Sequence, residues 1–409
     1  MIQEISIKNF LSYKDKMTFS FLADPSTFRD ETQVVKVGGV RLLRFAVLYG
    51  ANAAGKTNFL RAVLFITTFL LKVPNNRNEK TGLIPFLLDD NTTNENSEFE
   101  IIFYINDQKY HYYLVVNTDQ VVSEKLTIGK SDKIVFTRKS DGDDIIITYN
   151  IKLKQVEKEI IRMNCLKNMS VFAAYNRLNV SISEFQSVLD YFGNFMPTLT
   201  DDEDIYGYAA HFLALPKNVK YKEKMLKDFK SSDFENIIGY KFKINETTDN
   251  KPKITDTYTI QLKNGKEYKL PGYLISNGTQ NYIGLNLILR QLLEKQSFIT
   301  GDEIENSIHP DLFEKIIYDF LNAPPKNQSQ MILATHYSGL METVMIRPDS
   351  IHFVEKRDDG SSELFALTDF KDLKSLDSSI YKAYRDGRFG AVAKINYNDD
   401  RENNTGAKQ

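Results

Sequence analysis

Eight consecutive residues constrain this chain more than any other stretch: Gly50-Ala51-Asn52-Ala53-Ala54-Gly55-Lys56-Thr57. They follow Phe45–Tyr49, a short unbroken apolar run of the kind that forms a parallel strand buried on both faces. They precede an apolar-rich stretch from Lys56 to Leu71 that reads as a helix. Strand, glycine-rich turn and helix in that order, with G-x-x-x-x-G-K-[ST] in the turn, is a phosphate cradle. The glycines let the backbone curl so that successive N–H groups point at phosphate oxygens, and the helix adds its positive N-terminal end. Lys56 reaches the β- and γ-phosphates, and the Thr57 hydroxyl suits a Mg²⁺ ion. The expected ligands are a nucleoside triphosphate and Mg²⁺, with Gly50, Asn52, Ala53, Ala54, Gly55, Lys56, Thr57 and Asn58 around them. The competing reading, a glycine turn that merely caps a helix, is disfavoured by the flanking strand.

The 409 residues are 42% hydrophobic and 26% charged, which excludes disordered and collagen-like chains. Lys and Arg (52) against Asp and Glu (54) leave a formal charge of −2, so a generic polyanion binder is excluded too. Cys165 is the single cysteine. It removes a disulfide framework and any cysteine-based metal site, fits a reducing compartment, and reads as a small buried hydrophobe. The start lacks a basic segment followed by an apolar run, so no signal peptide is expected. The longest apolar-rich run, Ala62 to Leu71, falls well short of the roughly 20 residues that span a bilayer. A cytoplasmic protein without a membrane partner is the expectation.

Alternating apolar residues at Ile5 and Ile7 and at Met17–Leu22 mark opening strands. Residues 99–151 read as an antiparallel meander, with turns at Asn106-Asp107 and Asp141-Gly142. From 152 to 235 the pattern is helical, as in Ile182, Phe185, Leu189 and Phe192. Asn264-Gly265 and Asp359-Gly360 mark two more hairpins, and helix and strand alternate after 280. No heptad pattern persists, so no long coiled-coil arm is expected. The division this suggests is an N-terminal ATPase lobe over 1–151, a helical insertion over 152–235, a C-terminal lobe over 236–395 and a polar tail over 396–409.

A second acidic motif refines the chemistry. Phe298-Ile299-Thr300-Gly301-Asp302-Glu303 reads as a strand ending in two carboxylates. Asp302 would hold the Mg²⁺ shell and Glu303 would orient or deprotonate the attacking water. Taken alone, Asp302-Glu303 could equally be a solvated helix cap.

The continuation Ile304-Glu305-Asn306-Ser307-Ile308-His309-Pro310 resembles the corresponding segment of ATPases with ABC-type heads, the group that includes the RecF, SMC and OLD proteins. Two more pieces fall in that family's order. Ile275-Ser276-Asn277-Gly278-Thr279-Gln280 looks like the signature motif, with Asn277 where a second serine is usual. Ile332-Leu333-Ala334-Thr335-His336 looks like the switch-histidine strand. Ile5-Ser6-Ile7-Lys8-Asn9-Phe10-Leu11-Ser12-Tyr13-Lys14-Asp15 is similar to the opening of the group. The closing stretch, Ile351–Lys356 and Leu367–Lys371 through Gly387–Ala391, is similar to the end of bacterial abortive-infection ATPases, such as the sensor ATPases of the two-gene anti-phage system PARIS.

The resemblance implies an α/β fold, a P-loop NTPase of ABC-ATPase type with a mixed sheet, an antiparallel meander and a helical insertion. It implies catalysis by Lys56, Glu303 and His336, with His336 at the γ-phosphate. It further implies that Ser276, Gly278 and Gln280 meet ATP held by a second copy, so that the working unit is a homo-oligomer, at least a dimer, with ATP at the interface. A separate effector, a nuclease or toxin, and a phage-derived trigger complete the expected partners. Only 73 residues follow His336, too few for a Toprim nuclease domain of about 100 residues. A DNA-repair head that clamps DNA is the alternative, and a transporter's nucleotide-binding subunit a more distant one. Asp201-Asp202-Glu203-Asp204 reads as a solvated helix start rather than a metal cluster. Lys217, Lys220, Lys222, Lys224, Lys227 and Lys230 read as a solvated helix face, with an acidic partner or DNA as the minority reading. The Tyr and Phe residues of 99–116 read as sheet packing.

Overall fold

The apolar run Phe45–Tyr49 is a strand with all five residues buried. It lies inside a six-stranded sheet in the order Leu199–Thr200, Phe298–Asp302, Gln330–Ala334, Phe45–Tyr49, Ile351–Lys356, Ser362–Ala366. The first five strands run parallel and the last is antiparallel. The structure, a computed structural model, describes every residue except 142–143, 197, 201–203, 231, 233, 246–252, 326, 344–345, 371–378 and 393–409. Most of the acidic run at 201–204, the sequence after Phe370 up to 378 and the polar tail from 396 therefore lie outside the described residues.

Side chains alternate across a strand, so a sheet covered on both faces must divide its residues between two cores. Ala46 and Leu48 face one core, whereas Phe45, Val47 and Tyr49 face the other. Ile332 and Ala334 likewise oppose Met331 and Leu333. Against the first face packs the helix Lys56–Phe69, which buries Phe59, Leu60, Val63, Ile66 and Phe69 at helical spacing. Beyond it lies a seven-stranded antiparallel sheet in the order 144–149, 133–141, 121–128, 108–116, 97–105, 2–8, 17–20. The turn at Asn106-Asp107 has φ of 47° and 64°, the left-handed pair of a tight two-residue hairpin. The second face is covered by the helices Asn277–Glu294 and Pro310–Asn322, whose apolar sides supply Tyr282, Leu285, Leu289, Phe313, Ile317 and Phe320.

Among the described residues of 152–235 helices predominate beside the strand Leu199–Thr200, and the two halves belong to different cores. Ile161, Phe172, Phe185 and Phe192 join the antiparallel sheet, whereas Ile205, Leu213, Met225 and Phe229 join the central sheet's other face. Nor does the P-loop strand stay with the N-terminal lobe. It pairs with Met331–Ala334 and with Ile351–Phe353, strands nearly 300 residues away in sequence. An additional strand, Ile237–Asn245, joins Lys253–Gln261 and Glu267–Pro271 in a small three-stranded sheet. Its alternation is diluted by Gly239 and three lysine and asparagine positions, which hides it from a pattern reading. No helix among the described residues is long and apolar enough to cross a membrane.

Candidate active site

The parallel register brings three strand ends level. Asp302 pairs with Ala334, and Ala334 pairs with Leu48, so Gly50, Glu303 and Thr335 leave the sheet along one edge. This is the carboxyl edge, where open parallel sheets bind ligands.

The phosphate loop follows from the backbone. Gly55 caps the helix Lys56–Phe69 at φ 117°, a conformation that side chains resist, and a Cβ there would also collide with Ser362. A Cβ on Gly50 would meet the backbone carbonyl of Val354. The helix has no side-chain N-cap, so its first N–H groups are left for an anion. Three residues outside the motif brace the loop from behind. The Tyr13 hydroxyl donates to the Gly55 carbonyl at 3.1 Å, and the Ser362 hydroxyl donates to the Ala54 carbonyl at 2.5 Å and lies 2.8 Å from the Ser12 hydroxyl. Asn52 and Ala53 stay exposed at the tip of the loop, and Asn58 is half-buried one turn into the helix.

Lys56 is buried at 4% exposure. Its ammonium donates to the Gly50 carbonyl at 3.0 Å and to the Ala51 carbonyl at 3.4 Å, and lies 3.0 Å from His336 Nε2. Burial pulls its pKa below the usual lysine range, against the opposing charges of Glu303, Asp302 and Glu305. The same imidazole nitrogen is 2.9 Å from Glu303 Oε1. Lys56, His336 and Glu303 thus form one continuous chain across the strand ends. Glu303 holds a left-handed φ of 52°, and its N–H donates to the Ala334 carbonyl at 2.9 Å, which turns the carboxylate toward the switch strand.

Asp302 stands beside Thr57. The Thr57 hydroxyl donates to the Asp302 carboxylate, while Asp302 Oδ1 is buried without a hydrogen-bond partner. Burial, the leading cause, raises the Asp302 pKa. A desolvated carboxylate with an unused oxygen next to a threonine hydroxyl is the donor set of a hard divalent cation, so these residues fit Mg²⁺. The ion would be held by Thr57 and Asp302, and would supply charge neutralisation at the β- and γ-phosphate oxygens.

The signature segment is built differently. Ser276 caps the helix Asn277–Glu294, its hydroxyl accepting from the Thr279 N–H at 3.2 Å and lying 2.8 Å from the Thr279 hydroxyl. Gln280 Nε2 donates to the Gly272 carbonyl at 3.0 Å. These bonds stay within 272–280, and Ser276 and Asn277 are exposed. The structure therefore unites the P-loop, Asp302, Glu303 and His336, and leaves Ser276, Gly278 and Gln280 on a separate, open helix end. His309 serves as the N-cap of the helix Pro310–Asn322, accepting from the Asp311 N–H. Asp204, the described member of the acidic run, caps the helix Ile205–Ala214 by accepting from the Gly207 N–H at 2.7 Å. Among the described residues no group of three or more His, Cys, Asp or Glu is arranged to hold a metal.

Pattern reading passed over Ser12, Tyr13, Ser362 and Glu305. The first two lie inside the opening motif, where their types suit a loop brace. Ser362 carries no signal of its own, since only the pairing of Ile351–Lys356 with Ser362–Ala366 brings it to Ala54.

A parallel sheet with a phosphate loop, an acidic strand end and a histidine at the next strand end defines a P-loop ATPase. The chain matches the family model described as AAA domain, putative AbiEii toxin, Type IV TA system over residues 45–342, and it belongs to that family. Among solved structures it is similar to an SMC head domain from Thermotoga maritima, at 14% identity over 89% of this chain and 98% of that one, with a TM-score of 0.43. It is also similar to the Smc head domain with an extended coiled coil derived from Pyrococcus furiosus, at 14% identity over 95% and 98%, with a TM-score of 0.44. No curated protein matches the chain.

Proposed function

We propose that this ATPase closes around ATP as a homo-oligomer and, in that state, regulates a separate effector protein, a nuclease or toxin, in defence against phage. The observation that carries the oligomer is the division of the site. The P-loop chain of Lys56, His336 and Glu303 is assembled, whereas Ser276 caps an 18-residue helix whose start is open to solvent. A helix N-terminus with an exposed serine suits the γ-phosphate of ATP bound to another copy. The effector reading is supported by the family description, which names a toxin and a toxin–antitoxin system.

The competing reading is a head that clamps DNA. Of the six lysines between 217 and 230, Lys220 and Lys224 are each 3.1 Å from Glu294, which also accepts from Tyr221. That carboxylate offsets part of the patch's charge, and the chain's formal charge of −2 favours a protein partner over a phosphate backbone. The test is a tagged Glu303→Gln variant incubated with ATP and Mg²⁺. The expected result is an ATP-dependent oligomer that co-purifies with a nuclease or toxin encoded beside it. Recovery of duplex DNA and no such protein would give the function to the DNA clamp.

A further inference from the structure

Glu305 lies two residues beyond Glu303, in the short 3₁₀ turn Ile304–Ser307. It points back at the end of the switch strand. Its Oε1 accepts from the Thr335 hydroxyl at 2.5 Å and from the His336 N–H at 2.9 Å. Thr335 is itself fixed twice more, its N–H donating to the Leu48 carbonyl at 3.1 Å and its hydroxyl accepting from the Tyr337 N–H at 2.9 Å. The other Glu305 oxygen is buried and has no hydrogen-bond partner, and neither has the buried Tyr49 hydroxyl. Burial first, then the charges of Tyr384 and Glu305, raise the Tyr49 pKa well above the usual phenol range. Tyr49 ends the P-loop strand. One carboxylate therefore stands where the ends of the P-loop, acidic and switch strands converge.

Burying a carboxylate oxygen with no donor costs free energy. Core packing does not account for that cost, because Glu305 spends its used oxygen on two donors of the adjacent strand end. Those donors set the backbone from which the His336 imidazole reaches Lys56 and Glu303. We propose that Glu305 is a positioning residue for ATP hydrolysis: by holding Thr335 and the His336 N–H on one oxygen, it fixes the imidazole between Lys56 and Glu303. It does not touch the nucleotide. Its effect falls on turnover rather than on binding, because ATP is held by the P-loop while the hydrolytic geometry depends on the switch strand. The proposal rests on the active-site reading given above.

The test is a mutant cycle with kcat and the ATP dissociation constant measured separately, alongside thermal melts. Glu305→Ala is expected to lower kcat roughly 10- to 100-fold, the scale of an ångström-level misplacement, with ATP binding within about 3-fold of wild type. Glu305→Gln keeps an oxygen acceptor for both donors and is expected to restore kcat to within about 3-fold. In a His336→Ala background, Glu305→Ala is expected to change kcat less than about 2-fold, since the group it positions is gone. Thr335→Val removes one donor without changing size, and carries the same cycle should the alanine variant not fold. Equal losses in the presence and absence of His336, or no rescue by glutamine, would overturn the positioning role. Full turnover in His336→Ala alone would instead remove the active-site reading beneath it.

Discussion

Lys56 Nζ lies 3.0 Å from His336 Nε2, although 280 residues separate them in sequence. The same imidazole nitrogen is 2.9 Å from Glu303 Oε1, so the ring stands between the P-loop ammonium and the carboxylate at the end of the acidic strand. The P-loop lysine also donates to the Gly50 and Ala51 carbonyls, so its ammonium is held between the loop's own backbone and the switch histidine.

Lys56→Ala is expected to abolish ATP binding, read as loss of the nucleotide-induced rise in melting temperature. His336→Ala is expected to bind ATP and lose about 10²-fold or more in turnover, the usual range for a removed acid–base or charge-stabilising group. Loss of ATP binding in His336→Ala would place the histidine in binding rather than turnover.

Asp302→Asn is expected to separate stability from activity. Burial raises the Asp302 pKa, and one of its oxygens has no partner, so the charge is a strain on the empty fold. The neutral isostere should stabilise the nucleotide-free protein by about 1 kcal/mol while Mg²⁺-dependent ATP hydrolysis is lost. Chemical denaturation without ligand, set beside ATPase assays across a Mg²⁺ titration, measures both.

His352 gives the fold a pH dependence. It is buried at the seam between the sheets, its ring 4.7 Å from that of Phe19, and burial pushes its pKa down to about 4. An unfolded histidine titrates near 6.5. The folded state therefore resists protonation: the stability is fully present above about pH 6.5 and drains away as pH falls toward 4. The loss is of the order of 3 kcal/mol, at about 1.4 kcal/mol per unit. Denaturant midpoints of wild type and His352→Phe from pH 8 to pH 4 should diverge in that window, with the wild type falling faster.

Arg138 and Glu124 are both fully buried, with the guanidinium 3.7 Å from a carboxylate oxygen. Arg138 also donates to the Leu166 and Lys167 carbonyls, and Glu124 accepts from the Val171 N–H, so the pair fastens the segment 166–171 to the antiparallel sheet. Arg138→Met should cost about 3–5 kcal/mol, because it leaves a buried charge uncompensated. Arg138→Met combined with Glu124→Leu should recover part of that loss. A double variant less stable than the single one would show that Glu124 acts mainly as a cap for the helix Val171–Tyr175.

The P-loop was legible because its chemistry is contiguous: eight residues, a strand before and a helix after. The hairpins were legible for the same reason, since Asn106-Asp107 and Asn264-Gly265 announce themselves locally. Asp302, Glu303 and His336 could be placed in order but not in space. That they meet depends on the register of three parallel strands, which no local pattern encodes. Ser362 and Glu305 were opaque because each acts on a residue brought to it by pairing from far along the chain. Periodicity marks helices in 152–235, but not that Phe185 packs on the antiparallel sheet while Met225 packs behind the central one.

The alternation along Phe45–Tyr49 has an evolutionary consequence. Ala46 and Leu48 answer to one core, and Phe45, Val47 and Tyr49 answer to the other. A change of volume at 46 or 48 is felt by the antiparallel sheet, and one at 45, 47 or 49 by the helices opposite. Each lobe can therefore drift toward new contacts on its outer surface under its own set of substitutions. The backbone between them, and the phosphate loop that begins where it ends, need not change course.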